Sequence, residues 1–118
     1  MGYRSKVIIG VKNGQLSDIF DLVLAKHDFK VRDHFSDYLN IQTENDGMKF
    51  YEFKHTKWYD TDEWCKDIMD FLVESDGTDR HDENDVFCIG LGEDGTLHSE
   101  VGYWENNVEQ ISEINLIF

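Results

Sequence analysis

The chain has 118 residues, the size of one compact domain that buries about two thirds of the surface of its unfolded state. Its 40% hydrophobic and 14% aromatic content excludes an acidic disordered chain, which would be poor in these residues. The net charge of −14 is uneven, with +1 on residues 1–59 and −15 on residues 60–118. So few cations in the second half argue against direct nucleic-acid binding there, since phosphate contacts need Lys and Arg.

The first half of the chain predicts a strand, a helix and a hairpin. The segment "YRSKVIIGVK" alternates and then runs apolar through β-branched residues, which is typical of a buried strand. After "NG", helical spacing predicts a helix from Gln15 to about residues 27–30, with an inward side of Leu16, Ile19, Phe20, Val23 and Leu24. The segments "DYLNIQTE" and "MKFYEFKH" flank "NDG", whose residues tolerate positive φ, and therefore predict a hairpin.

The second half predicts another helix and several further strands. Asp60 with Glu63 three residues later has the form of a capping box, and it starts a helix that ends near Ser75. The inward stripe of this helix is Trp64, Ile68, Phe71 and Leu72. The run "VFCIGLG" indicates a buried strand, "EDGT" a turn, "LHSEVGYW" a further strand, and "VEQISEINLIF" a final strand.

The order of these elements predicts an α+β fold. A split βαββαβ unit is followed by extra antiparallel strands, giving an antiparallel sheet of about five to six strands with two helices on one face. Residues 1–118 show no linker or repeat and are read as a single domain. Cys65 and Cys88 are far apart in apolar segments, so we expect reduced core thiols.

No long apolar run or leader-like segment is present in the sequence, so we expect a cytoplasmic protein without a membrane span. No motif calls for a cofactor. The run "GLGEDG" fits G-x-G-x-x-G, but it is followed by a predicted strand instead of a helix and carries Glu93 and Asp94, so we interpret its glycines as hairpin residues.

The acidic stretch "SDGTDRHDENDV" lies between the second helix and the next strand, and it does not match the residue pattern of a calcium-binding loop. Counted from Asp76, an EF-hand needs Gly at the sixth position and Glu at the twelfth, where this chain has His81 and Phe87. A looser cation site remains an alternative to a solvated connection, with carboxylates from Asp76, Asp79, Asp82 and Asp85. His81 beside Asp82, and His98, invite an acid–base interpretation, but no nucleophile is placed to serve them and we expect surface histidines.

The second predicted helix carries the most specific pattern in the sequence. Its acids step by four, three and four residues, which aligns them in one row opposite the apolar stripe, at Glu63, Asp67, Asp70 and Glu74. Carboxylates then recur about every 5 to 6 Å, comparable with phosphates along a nucleic-acid strand. The row continues into Asp76, Asp79, Asp82, Glu83 and Asp85, answered only by Lys66 and Arg80. A plain solvated helix face is the alternative.

Aromatic residues cluster around the second helix and the last strands, at Trp58, Tyr59, Trp64, Tyr103 and Trp104. Some of these rings must belong to the core. If Trp58 and Tyr59 are exposed, a protein interface is their natural use, because aromatic side chains beside an acidic rim supply affinity while charge steers the encounter.

The opening "MGYRS", running directly into a strand, resembles the start of short, mostly uncharacterised bacteriophage proteins. The resemblance covers residues 1–11 and transfers no site residue. It implies a setting in the host cytoplasm, where small acidic phage proteins bind and disable a host protein, often one that handles nucleic acid.

These observations predict a non-enzymatic acidic binding protein whose C-terminal half engages a basic, nucleic-acid-binding site on a host protein by mimicking nucleic-acid charge. Two alternatives stay open. One is a small cation-dependent enzyme or metal-binding domain that uses the carboxylates of residues 76–85. The other is a ligand-binding or homo-oligomeric α+β domain that uses the nearly neutral N-terminal half.

Overall fold

The structure is a computed structural model that describes residues 5–26, 41–56, 58, 62–75, 85–102, 104, 108–110 and 114–116. The elements in these ranges follow in chain order: β1 (Ser5–Lys12), α1 (Gln15–Lys26), β2 (Ile41–Asn45), β3 (Met48–Thr56), α2 (Glu63–Ser75), β4 (Val86–Gly92), β5 (Leu97–Val101), β6 (Val108–Gln110) and β7 (Ile114–Leu116).

The main sheet has five strands in the order β2-β3-β1-β4-β5, and every neighbouring pair is antiparallel. Strands β1 and β2 therefore run parallel with β3 between them, and β3 and β4 run parallel with β1 between them. This is the predicted split βαββαβ unit, extended by β5 at one edge. In the predicted hairpin, Asp46 and Gly47 both have positive φ, 53° and 79°, as a tight two-residue turn requires.

Both helices pack on the same face of the sheet. Alternate residues of the central strand β1 point to that face and meet the inward sides of the two helices, as expected for a strand with a period of two. This first core contains Val7, Ile9, Val11, Leu16, Phe20, Leu24, Tyr51, Phe53, Trp58, Cys65, Ile68, Leu72, Val86, Cys88 and Val101. Cys65 and Cys88 are buried thiols outside any disulfide, as predicted, and burial raises the pKa of Cys88.

The opposite face of the sheet has a core of its own. The hairpin β6–β7 forms a separate two-stranded sheet whose Val108 and Ile114 pack with Ile8, Phe50, Phe87, Ile89 and Leu91 of the main sheet. The tail predicts one final strand, and the structure divides it into two. The physical reason lies in β1 and β4, which are apolar on both sides and need cover on both.

Helix α1 is anchored to β3 by a polar cluster. The Tyr51 hydroxyl donates to Asp21 Oδ1 at 2.7 Å, and Lys49 Nζ lies 2.9 Å from Asp21 Oδ2. Lys49 also lies over the Tyr51 ring, 5.4 Å from its centroid. Burial, reinforced by Asp21, raises the pKa of Tyr51, so the phenol remains a hydrogen-bond donor.

Substitutions in this cluster should differ in cost. We expect Tyr51→Phe to lower the free energy of unfolding by about 1 kcal/mol, because Asp21 keeps Lys49 as a partner. Asp21→Ala should cost about 2 to 3 kcal/mol, because it leaves the largely buried Lys49 ammonium without its carboxylate. Urea unfolding of both variants measures the difference, and equal costs would show that the ion pair contributes nothing beyond the phenol hydrogen bond.

Candidate interaction surface

Helix α2 is held to the sheet by its apolar side. Cys65, Ile68 and Leu72 are fully buried, and Trp64, Met69 and Phe71 pack against the same core while partly exposed. The predicted apolar stripe is therefore present, although Ile68 and Leu72 lie deeper in it than Trp64 and Phe71. Since a helix repeats every 3.6 residues, Glu63, Asp67 and Asp70 lie on the opposite side of α2.

The structure exposes two carboxylates of the predicted row and pairs a third. Glu63 and Asp70 are exposed, whereas Asp67 is half-buried. The Asp67 carboxylate lies 3.0 Å from Nζ of Lys26 on α1. The hydrogen bond and charge of Asp67, with a smaller contribution from Glu63, raise the pKa of Lys26 and keep it protonated. Sequence reasoning did not find this cation, because Lys26 is 41 positions from Asp67.

The remainder of the predicted acidic row lies largely outside the described residues. This applies to Asp76, Asp79, Asp82 and Glu83, and to the side chain of Glu74, whose backbone lies in α2. Asp85 is described, and it is half-buried where the predicted row called for a partner-binding carboxylate. Its backbone oxygen accepts from the Lys12 N–H at 2.7 Å, and its half-buried carboxylate lies 3.8 Å from Lys12 Nζ. Pairing with β1 at the start of β4 turns Asp85 toward Lys12.

Trp58, which was predicted as a partner-binding residue, is buried in the structure, because only 6% of its surface is exposed. Its ring lies edge-on to Trp64 at 5.2 Å and to Phe53 at 5.8 Å, and its indole N–H donates to Ser99 Oγ at 3.1 Å. The end of β3 and the beginning of α2 converge here, so the ring enters the core and offers no interface contact. Tyr59 lies outside the described residues.

Large apolar side chains are exposed in the described part of the chain at Ile19, Leu22 and Val73, by 40%, 70% and 60%, and all three lie on the two helices. Sequence reasoning placed Ile19 inside and did not single out Leu22 or Val73. The signal available in the sequence was that Leu22 and Val73 are apolar residues outside the predicted inward sides of their helices. We define the helical surface as Ile19, Leu22, Lys26, Glu63, Asp67, Asp70 and Val73.

A second polar cluster surrounds His98, which the sequence predicted as a surface histidine. The ring is half-buried, with Nε2 2.9 Å from Ser5 Oγ and Nδ1 2.9 Å from Ser99 Oγ. Although this joins a serine to a histidine, Ser5 is only 3% exposed within β1, which leaves its hydroxyl no approach for a substrate. The arrangement supports a structural hydrogen-bond network. His81 and Asp82 lie outside the described residues.

Among the described residues, no group of three or more His, Cys, Asp or Glu side chains is placed to hold a metal ion. No helix in these ranges has the length and apolar character needed to cross a membrane. The glycines of "GLGEDG" lie in and after β4, and Gly95 takes a positive φ of 83° in the turn to β5.

No protein-family model, curated protein or solved structure matches the chain.

Proposed function

We propose that this chain is a non-enzymatic binding protein whose helical surface engages a basic site on a partner protein. One observation carries the proposal: exposed carboxylates and exposed large apolar side chains occur together on the two helices. Glu63 and Asp70 supply the charge, and Leu22 and Val73 supply apolar area. In keeping with the resemblance of its opening residues, we propose that the protein is phage-encoded and inhibits a nucleic-acid-binding host protein in the host cytoplasm.

The charge of the second half of the chain, which includes the acids of the helical surface, favours a partner of basic chemistry. Residues 60–118 carry −15, so a basic partner is attracted over distances set by the screening length, about 8 to 10 Å at physiological salt. The exposed carboxylates Glu63 and Asp70 lie about 10 Å apart along α2, roughly twice the phosphate spacing of a strand, and the paired Asp67 lies between them. A site built to bind nucleic acid therefore offers the complementary cations.

The apolar side chains favour a protein as the binding partner. A phosphate backbone offers no apolar surface to cover Leu22 and Val73, whereas a protein surface can bury them. Apolar contacts surrounded by polar residues are typical of protein interfaces. Lys26 contributes by holding Asp67 in place between the two helices. The helical surface thus combines exposed carboxylates with exposed apolar side chains, on two helices that pack on the first core.

The proposal predicts a steep dependence on salt. We expect the affinity for a partner captured from host lysate to fall at least about tenfold between roughly 50 and 300 mM NaCl, because exposed charges drive the encounter. Calorimetric titration against the purified partner measures it. Nucleic acid bound by that partner should compete with the chain. An affinity that is independent of salt, or a ternary complex with nucleic acid, would contradict charge mimicry.

A further inference from the structure

The His98 network surrounds a strained residue. Ser99 has φ of +56°, a left-handed conformation that costs a non-glycine residue on the order of 1 to 2 kcal/mol. It lies where the β4–β5 register shifts, between the pairs formed by Cys88 and Gly90. Such a bulge re-aims a side chain, and here it turns the Ser99 hydroxyl toward His98 and Trp58.

The position of His98 is fixed from several sides. Ser5 on β1 holds one ring nitrogen, and Ser99 holds the other. Gly90 on β4 leaves the space for the ring, since a Cβ at that position would lie 2.4 Å from His98 Cε1. Burial disfavours the protonated form of the ring, and among the described residues the charge of Asp94 in the β4–β5 turn favours it.

Protonation of His98 conflicts with this network. A neutral imidazole donates from one nitrogen and accepts at the other, so it satisfies one hydroxyl as acceptor and one as donor. An imidazolium donates from both nitrogens, and the serine that donated to the ring must turn its O–H elsewhere. The hydroxyl hydrogen of that serine then loses the ring as its acceptor, and replacing this acceptor is costly because Ser5 is buried and Ser99 is half-buried beside Trp58.

We propose that His98 is a pH-sensitive latch: its protonation releases Ser99 from the left-handed conformation and frees Trp58, which loosens the beginning of α2. The connection to α2 runs through Trp58, whose ring lies 5.2 Å from that of Trp64 in the first turns of the helix. Because Glu63 begins the same helix, acidification disturbs the end of the helical surface nearest to Trp58.

The direction of the pH effect follows from burial, which lowers the pKa of His98 in the folded chain below its usual value of 6.5. The unfolded chain then binds the proton more readily than the folded chain. Stability from the neutral ring is therefore complete above pH 6.5 and declines as the pH falls from there through the folded pKa.

Nuclear magnetic resonance of the full chain tests the latch directly. We expect the Trp58 indole N–H resonance to titrate with the same midpoint as the His98 ring, below pH 6.5. Exchange of the Trp58 indole hydrogen should become about tenfold faster across that midpoint, after correction for the intrinsic rate. The Trp104 indole, which donates to the exposed Glu100 at 3.2 Å, is the internal control and should not share the midpoint.

Two variants separate the latch from general acid effects. In His98→Gln, whose side chain does not titrate, the Trp58 response should disappear. In Ser99→Gly, which removes both the hydroxyl and the strain, His98 should still titrate while Trp58 no longer follows it. The second variant keeps the test decisive if the first does not fold. A Trp58 resonance that is constant through the His98 titration, or that responds equally in Ser99→Gly, would overturn the proposal.

Discussion

Reversing Glu63 and Asp70 to Lys is expected to weaken binding to the partner by about a hundredfold at low ionic strength. Both carboxylates are exposed on α2, opposite its buried side, so the fold should be retained. Each substitution replaces an attraction with a repulsion of the basic site, and Glu63→Lys also places a second cation near Lys26. Calorimetric titration at two salt concentrations measures the loss, which should shrink as salt screens the charges.

The matched control is Glu93→Lys with Glu109→Lys. It changes the formal charge equally, but Glu93 lies in the β4–β5 turn and Glu109 on β6, the hairpin that packs on the sheet face opposite the helices. We expect this control to bind within about threefold of the unchanged chain at moderate salt, where distant charges are screened. Equal weakening by both double variants would show that net charge acts without a defined surface.

Association and dissociation rates can separate the contribution of the apolar side chains of the helical surface from that of its charges. Leu22→Ser removes the large apolar side chain with the highest exposure among the described residues, without changing charge. We expect faster dissociation with an unchanged association rate, whereas the charge reversals should chiefly slow association. Identical kinetics before and after Leu22→Ser would remove this residue from the interface.

The largest effect on stability is expected for Gly102→Ala, at about 3 kcal/mol. Gly102 has φ of +68°, and an added Cβ would lie 2.3 Å from the backbone oxygen of Val86. The left-handed conformation costs an alanine about 1 to 2 kcal/mol, and the contact with the main chain at the start of β4 cannot be relieved by a rotamer change. Urea unfolding monitored by tryptophan fluorescence measures the loss.

Gly95→Ala is the control that measures the cost of the left-handed backbone conformation alone. Its φ of +83° is similar, but no atom lies within 4 Å of the position of an added Cβ. We expect a loss of about 1 to 2 kcal/mol from conformation only. If the two alanine variants unfold at the same urea concentration, the close approach of Gly102 to Val86 carries no energetic cost.

The sequence by itself determined most of the helices and strands and their order along the chain. Apolar runs predicted that β1 is largely buried and that β4 is buried, because a half-exposed strand would alternate throughout. The "NDG" signal and the acid-over-apolar pattern of α2 act between neighbouring residues, and both appear in the structure. These features depend on short-range spacing, which a single sequence displays directly.

Tertiary packing decided which side chains are available. Trp58 could belong to the core or to an interface by sequence, and convergence of β3, α2 and β5 buried it. Lys26 and Asp67 are 41 positions apart, and Ser5 and His98 are 93 apart. Such pairs form only when helices and strands dock, so no local pattern encodes them. The spacing of the sequence therefore places the acids along α2, and packing decides that Glu63 and Asp70 are exposed while Asp67 is half-buried.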